Sequence, residues 1–592
     1  MNSRSVFALL IAALLPATLA AQRGAGPTGP QQTTTPEPLK FRYMGPAPAG
    51  RIASASGVPG DPNTYYLGSA SGGVWKSTDG GQTFEPIFDG QDVAAIGSIA
   101  VADSDHNTVW VGTGEPWVIR YSDVIGDGVY KSTDAGKTWQ HMGLVETGRI
   151  SRVLVHPKDP NIIYVCAQGR LTGPQDERGV FKSSDGGTTW QHVLFVDRAT
   201  GCSGLDIDKS DPNTLIAGTW QVEQHTWAQL SGGAGSGVYV THDGGARWTR
   251  IVAGLPKSPL GKIDVAFAPS NTRRAYALIQ TADQGSVWRS DDAGATWKVV
   301  SRDRSLIGRA GYYIKLVVNP QNADDVFISS SSFHRSTNGG ATFSGNGGVN
   351  PFQGQASCGD CHDIWIDPQD PARYVLTDDA GASINTKQGP VRVTLPNGQM
   401  YHVHVDNRVP YWIYSNRQDD GTMRGPMTVS EQTGNGRLPS GSTMPQPAGA
   451  GGGRGGGRGG GSQPQWQPDI GGCESGFTIP DPTDANIVYA SCYGNKVTRW
   501  DARTGTARSI EPWMITLDSP PNEARYRCHW TAPMAIDPFD HTTVLYGCQM
   551  ILKTNDGGQS WSELSPDLST SDPSHIVSNG GIVGDNLGQY AG

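Results

Sequence analysis

The sequence predicts an all-β fold: a seven-bladed β-propeller of four-stranded blades, followed by a partial second propeller. Three observations carry this. A corner of the form Ser-Thr-Asp-Gly-Gly recurs at a spacing of about 46 to 58 residues, the size of one blade. Alternating apolar runs flank each corner, as half-buried strands require. The composition combines 79 Gly and 40 Pro with only 17% charged residues, a turn-rich profile unlike that of a helical protein.

The corners come first because they set the register. Gly73-Val-Trp-Lys-Ser-Thr-Asp-Gly-Gly-Gln-Thr-Phe84 is followed by Gly128 to Trp139, Gly179 to Trp190, Gly237 to Trp248 and Ser286 to Trp297. His334 to Phe343 carries Asn338 in place of Asp, and Leu552 to Trp561 restores Asp at 556. The carboxylate of each corner is expected to accept backbone N–H bonds inside its own turn. The paired glycines permit the tight backbone, and the closing ring packs between blades. Asp79, Asp134, Asp185, Asp243, Asp292 and Asp556 are therefore read as structural.

Upstream of each corner two alternating runs meet at a turn rich in Asp and Pro, as in Val153 to Val165 and Ile364 to Leu376. Such hairpins begin near Arg51, Gly97, Arg149, Cys202, Lys262, Tyr313 and Cys358. Seven make an ordinary ring, assigned to residues 38–430. The seventh is followed by a run read as irregular, Thr377 to Gly425, and Phe41-Arg42-Tyr43 is a candidate outer strand to close the ring.

Residues 431–466 are rich in Gly, Ser, Pro and Gln and read as a linker or disordered loop. Two more blades follow, at Gly472 to Pro512 and Cys528 to Leu568, so 467–592 is expected to be the start of a second propeller that is cut short. The alternative is that these blades join the first ring.

The N-terminus reads as an export signal over residues 1–21: Arg4, the apolar run Val6 to Leu15, then Pro16 and the small-residue stretch Ala17 to Ala21. Residues 22–37 are a flexible lead-in. A periplasmic or secreted protein without stable membrane insertion is expected. The formal charge of −9 argues against nucleic acid as a partner.

Eight cysteines in an exported chain imply disulfides. In an antiparallel hairpin the start of the first strand lies beside the end of the second. The register then pairs Cys473 with Cys492 and Cys528 with Cys548 within blades, and Cys166 with Cys202 between blades. Cys358-Gly-Asp-Cys361-His362 is left. It matches the haem c attachment pattern, but a local disulfide is preferred, so no cofactor is expected. No His/Cys cluster has zinc spacing, and no metal is expected.

The repeated corners resemble those of BNR-repeat (Asp-box) proteins, and the chain is most similar to sortilin-type propellers and to the xyloglucan-degrading two-propeller glycosidases. The xyloglucan resemblance implies a catalytic Asp just before the Gly-Gly of the first blade. Here Gly68-Ser69-Ala70-Ser71-Gly72-Gly73 has no carboxylate. The Arg pattern of sialidases is only partly matched by Phe41-Arg42-Tyr43-Met44.

Function is expected in the long loops on one face of the ring. Trp117, Trp220 and Trp227, if exposed beside His225, suit stacking on a sugar or peptide; the alternative is that these aromatics pack on each other beneath the loops. Arg149, His362, Asp363 and His529 stand near strand starts facing the channel. Hydrolysis of a glycosidic bond needs two carboxylates, roughly 6.5 to 9.5 Å apart for inversion, and Glu115 or Glu223 opposite Glu474 are the candidates. The main expectation is a module binding a peptide, protein or polysaccharide. A secreted glycoside hydrolase is the alternative, and a haem-bearing redox protein the third reading.

Overall fold

The computed structural model describes residues 45–46, 50–117, 124–345, 355–427, 466–514 and 521–576. The signal segment, the lead-in, Phe41 to Tyr43, residues 118–123 of the second-blade loop and most of the Gly-rich stretch lie outside them.

Among the described residues every regular element is a strand, apart from three short 3-10 turns. The strands form ten antiparallel sheets, numbered 1 to 10 in chain order, each built by consecutive hairpins. The first strands of sheets 1 to 7 are Ile52–Val58, Ile96–Ala102, Ile150–His156, Thr200–Ile207, Ile263–Phe267, Lys315–Val318 and Cys361–Ile366. Each packs on the next, and Cys361–Ile366 packs back on Ile52–Val58, so the seven make a circle.

That closure is visible in side chains. Tyr65 of sheet 1 meets Trp365 of sheet 7 edge to face at 6.3 Å. Ile52, Leu67 and Trp75 share one buried cluster with Val375, Ile384 and Val393. Gly81 has φ +85°, and a Cβ there would lie 2.3 Å from Ile384 Cδ1, so this corner needs glycine for both backbone and space.

The corners have the bonding their composition implies. Asp79 Oδ1 accepts from the N–H groups of Gln82 (3.0 Å) and Thr83 (2.9 Å), and Oδ2 accepts from the Thr83 hydroxyl. In sheet 6, Asn338 accepts from Thr342 N at 3.0 Å while its amide donates to the Thr342 hydroxyl at 2.8 Å. One oxygen of the motif is replaced by a donor and the turn survives.

Neighbouring sheets are then clasped in both directions. The Trp139 indole donates back to Ile87 O at 2.7 Å, and Trp190 donates back to Met142 O at 2.8 Å. Lys76 Nζ reaches forward to Ala135 O at 2.8 Å, and Lys182 to Gly244 O at 2.7 Å. In these repeats the Lys and Trp thus bond the next and the previous sheet, beyond filling space.

Sheets 9 and 10 lie where two further blades were expected, but sheet 8 was not expected. The run Thr377 to Gly425 is not irregular. Tyr374–Asp378, Gly381–Thr386 and Gly389–Val393 complete sheet 7 with its own strands. Met400–Val405, Trp412–Arg417 and Gly421–Pro426 then begin sheet 8, whose fourth strand is Gln467–Pro468. The Gly-rich stretch therefore falls between two paired strands of one sheet, and the second group of sheets starts near 400, with three members among the described residues. These hairpins were missed because they turn at Lys387-Gln388 and at Gln418–Asp420, without an Asp-Gly-Gly corner. Sheets 8 and 9 share a core of Tyr414, Ile470, Val488 and Trp500. Sheets 9 and 10 share another that includes Tyr489, Met534 and Tyr546.

All eight cysteines are bonded: Cys166–Cys202, Cys473–Cys492, Cys528–Cys548 and Cys358–Cys361. Four disulfides fit an extracellular or periplasmic compartment. Among the described residues no helix is long and apolar enough to cross a membrane.

Candidate functional site

Arg51 stands immediately before the first strand of sheet 1 and is buried. Its guanidinium holds three carboxylates from three places in the chain. Nη1 bonds Glu115 Oε1 at 2.7 Å, Nε bonds Asp379 Oδ1 at 2.8 Å, and Nη2 bonds Asp419 Oδ2 at 3.2 Å. Glu115 lies two residues past the second strand of sheet 2, and Asp379 one residue past that of sheet 7. Asp419 is the apex of the sheet 8 hairpin.

A layer of rings surrounds this charge cluster. His362 Nε2 lies 3.0 Å from Asp379 Oδ1, and His362 Nδ1 lies 3.0 Å from Ile52 O. The Tyr312 hydroxyl donates to Asp379 Oδ1 at 3.2 Å, and that of Tyr313 to Asp379 Oδ2 at 3.3 Å. Burial alone would push the Asp379 carboxyl up, but Arg51 and His362 outweigh it and hold it well below the usual carboxylate range. Burial would lower Arg51, yet Tyr312, Asp379, Glu115 and Asp419 hold it above its ordinary value. Burial drives Tyr312 far above the normal phenol range.

Below the rings, Lys262 sits 5.0 Å from the Trp117 ring and 4.9 Å from the Trp220 ring, and its ammonium donates to Tyr312 O at 3.1 Å. Burial brings its pKa down to about 7, against the pull of Asp264.

Asp419 opens the cluster to solvent. A groove of about 360 Å³ is lined by Asp419, Asp420, Asp469, Glu474 and Tyr493 together with Gly421 to Thr422 and Gly471 to Cys473. Asp419 has φ +64°, an uncommon conformation for a residue with a side chain, and its side chain is 25% exposed. Its backbone N–H donates to Glu474 Oε2 at 3.2 Å. Gln418 Nε2 bonds Asp419 Oδ1 at 2.7 Å, and Gln418 accepts from the Tyr401 hydroxyl. Tyr401 in turn accepts from the Trp530 indole at 2.8 Å, and Trp530 stacks on Tyr493 at 4.1 Å.

Two of the three expected acids are therefore joined. Glu115 and Glu474 lie at opposite ends of the contact chain Glu115–Arg51–Asp419–Glu474. Glu223 is elsewhere, on the sheet 4 hairpin beside His225 Nε2 at 3.1 Å.

Several ring and charge candidates occupy other roles than the expected ones. Trp117 and Trp220 are buried, not exposed. Trp117 donates to Ala53 O at 2.9 Å and stacks on His362, and Trp220 donates to Ser231 Oγ. Their rings cover Lys262. Arg149 is buried and bonds Arg170 O at 2.7 Å. Asp363 accepts from Ala55 N at 3.1 Å and holds sheet 7 to sheet 1. His225 and Trp227 stack at the tip of the sheet 4 hairpin, and Trp227 stacks on His575 at 4.0 Å. His529 lies against Thr531 next to Trp530. Cys358 and Cys361 are joined to each other and His362 is enclosed, so these three residues as folded do not present a haem attachment site.

Arg51, Asp379, Asp419 and Tyr312 were not singled out as site residues. One signal was available: Asp379, like Glu115, is an acid within two residues of the end of a second strand.

The Sortilin-Vps10 family profile (sortilin, neurotensin receptor 3) matches residues 72–229 and 127–258. A xyloglucanase of Hypocrea jecorina is 28% identical over 248 residues, covering 36% of this chain and 27% of that protein. A xyloglucanase of Acetivibrio thermocellus is 24% identical over 379 residues, covering 56% and 42%. The chain thus spans only 27% to 42% of the length of these curated relatives. Among solved structures, a GH74 xyloglucanase from Xanthomonas campestris aligns with a TM-score of 0.48 at 16% identity, over 94% of this chain and 96% of that one. The sequence matches make the chain similar to sortilin-type and xyloglucanase proteins, and its fold is a β-propeller.

Proposed function

We propose that this is an exported glycoside hydrolase that binds a xyloglucan-type polysaccharide in the groove beside sheet 8 and cleaves it there. One observation carries the reading: Asp419 and Glu474 line the same groove, and Asp419 is anchored from behind by the buried Arg51. Two acids beside one open channel are the minimum for glycoside hydrolysis. Asp419, with Arg51 compensating its charge, is suited to act as the carboxylate, and Glu474 to exchange the proton with the leaving oxygen. The stacked pair Tyr493–Trp530 supplies an aromatic edge to the groove on which a sugar ring can rest. The xyloglucanase relatives support the substrate class. Export rests on the signal-like residues 1–21 together with the disulfides.

The test is reducing-sugar release from xyloglucan and a panel of other polysaccharides. Asp419→Asn and Glu474→Gln are each expected to lower release by about 10²-fold or more. Release unaffected by both substitutions, or no release from any polysaccharide by the wild-type chain, contradicts the reading.

A binding role for peptide or protein keeps one specific support, the sortilin profile match over residues that include the sheet 4 hairpin with His225 and Trp227 at its tip. Retention of a peptide or protein ligand that is lost on Trp227→Ala, with no sugar release, favours that role.

A further inference from the structure

The disulfide Cys358–Cys361 differs from the other three in what it encloses. It joins residues three apart, whereas the others close 36, 19 and 20 positions. The entropy that a crosslink removes from the unfolded chain grows with loop length, so this bond contributes least to holding the fold. It is also within reach of solvent. Cys358 is half-buried, and a Cβ on Gly359 would meet nothing within 4 Å. Cys361 is fully buried, as are Cys166 and Cys202, whereas Cys473 and Cys548 are half-buried like Cys358, so the short loop is what separates this pair from those two.

Both ends of this small loop lead to Asp379. On one side, Asp360 has φ +48° and pairs with Arg309 at 3.5 Å. Arg309 lies over the Tyr313 ring at 5.0 Å and the Tyr312 ring at 5.7 Å, and both tyrosines bond the Asp379 carboxylate. On the other side, Cys361 is the cross-strand partner of Asp378, and His362, the next residue, bonds Asp379 directly. Asp379 holds Arg51, and Arg51 holds the groove carboxylate Asp419.

We propose that Cys358–Cys361 is a thiol–disulfide exchange site whose substrates are external dithiols, and that its redox state sets the order of the Asp379–Arg51–Asp419 line. In the exchange a donor thiolate attacks the accessible Cys358 sulfur and forms a mixed disulfide, and Cys361 leaves as a thiolate and takes up a proton. The donor's second thiolate then attacks its own sulfur in the mixed disulfide and releases the Cys358 thiolate, which is protonated. One dithiol becomes a disulfide, one protein disulfide becomes two thiols, and two electrons and two protons are transferred. Closed, the loop fixes Asp360 on Arg309 and His362 on Asp379. Open, both supports of Asp379 loosen. The consequence for the groove's chemistry rests on the hydrolase reading; the exchange itself does not.

The experiment equilibrates the full chain with graded ratios of reduced to oxidised dithiothreitol, traps free thiols by alkylation and maps them by mass spectrometry. Hydrogen–deuterium exchange is followed on the same samples. Cys358 and Cys361 are expected to open at a ratio at least about tenfold below that of any other pair, which for this two-electron couple is about 30 mV. Exchange in 309–313, 361–366 and 378–381 should then rise about threefold or more, and Cys358→Ser/Cys361→Ser should show the same rise without reductant. The proposal is overturned if this pair opens together with or after the others. It is equally overturned if opening it, or the double serine variant, leaves exchange in those segments unchanged. Sugar release from xyloglucan is measured in parallel: its absence in both redox states removes the hydrolase reading and leaves the exchange result standing.

Discussion

Arg51 and Asp419 stand 368 positions apart in sequence and 3.2 Å apart in space. This contact joins the entrance of the first sheet to the apex of the eighth. It turns two separate features, a closed circle of sheets and an open groove, into one polar system.

Arg51→Met removes the cation shared by Glu115, Asp379 and Asp419. The first two carboxylates are nearly inaccessible, with side chains 2% and 10% exposed. An uncompensated buried charge typically destabilises by about 3–5 kcal/mol. Thermal unfolding followed by circular dichroism should show a marked drop in midpoint at pH 7. A variant as stable as the parent would mean that the cluster is solvated.

Asp79→Ala deletes the acceptor of two backbone N–H groups and two hydroxyls, those of Ser77 and Thr83, in the first corner. The corner is partly exposed, so the expected loss is about 1 kcal/mol or less. Asp79→Asn should lose less than half as much, because Asn338 already occupies the same place in sheet 6. Equal losses for the two variants would contradict the bonding described for the corner.

Acid stability follows from the same corners. The Thr138 hydroxyl and backbone N–H, with the Ser132 hydroxyl, pull Asp134 down to about 2, and the equivalent bonds from Thr189 and Ser183 do so for Asp185. The backbone N–H of Arg247 and the Thr241 hydroxyl bring Asp243 to about 2 as well. A carboxyl whose pKa is depressed in the folded state contributes stability that is complete above the unfolded value, about 3.9, and is lost as pH falls through the folded value. The corners' share of stability, read as the difference in midpoint between the parent and a triple Asp→Asn variant at 134, 185 and 243, should therefore be constant from pH 7 to about 5 and vanish between about 4 and 2. A difference that already shrinks near pH 6 would contradict this assignment.

Lys262 has the opposite sign. Its folded pKa of about 7 lies well below the ordinary lysine value of about 10.4. The unfolded chain binds the extra proton between those values, so stability rises with pH across that window. Lys262→Met should be more stable than the parent at pH 6, by about 1–3 kcal/mol, and the advantage should shrink toward pH 10. A constant deficit at every pH would show that the Trp117 and Trp220 contacts outweigh burial.

The repeated elements were legible because each carries its own chemistry. Asp79 and its equivalents need specific neighbours at fixed offsets, and that pattern survives in the letters. The hairpin starts of sheets 1 to 7 were readable for the same reason, as were Cys473–Cys492 and Cys528–Cys548, whose partners follow from strand register. Sheet 8 was not legible: Met400–Val405 alternates valine with histidine, and its hairpin turns at Gln418–Asp420 without the repeated corner. The Arg51 cluster was hidden for a different reason. Its members come from sheets 1, 2, 7 and 8, and no local spacing reveals that Glu115, Asp379 and Asp419 converge on one guanidinium. The sequence did not decide between exposed and packed rings for Trp117 and Trp220, because the buried Lys262 they enclose lies far along the chain.

The most direct test of the whole account is a crystal structure of the Glu474→Gln variant with a xyloglucan oligosaccharide. Sugar density in the groove, with one ring beside Tyr493 and a glycosidic oxygen between position 474 and Asp419, is the predicted result. An oligosaccharide seated at the His225–Trp227 hairpin tip, with the Asp419 groove untouched, would contradict it.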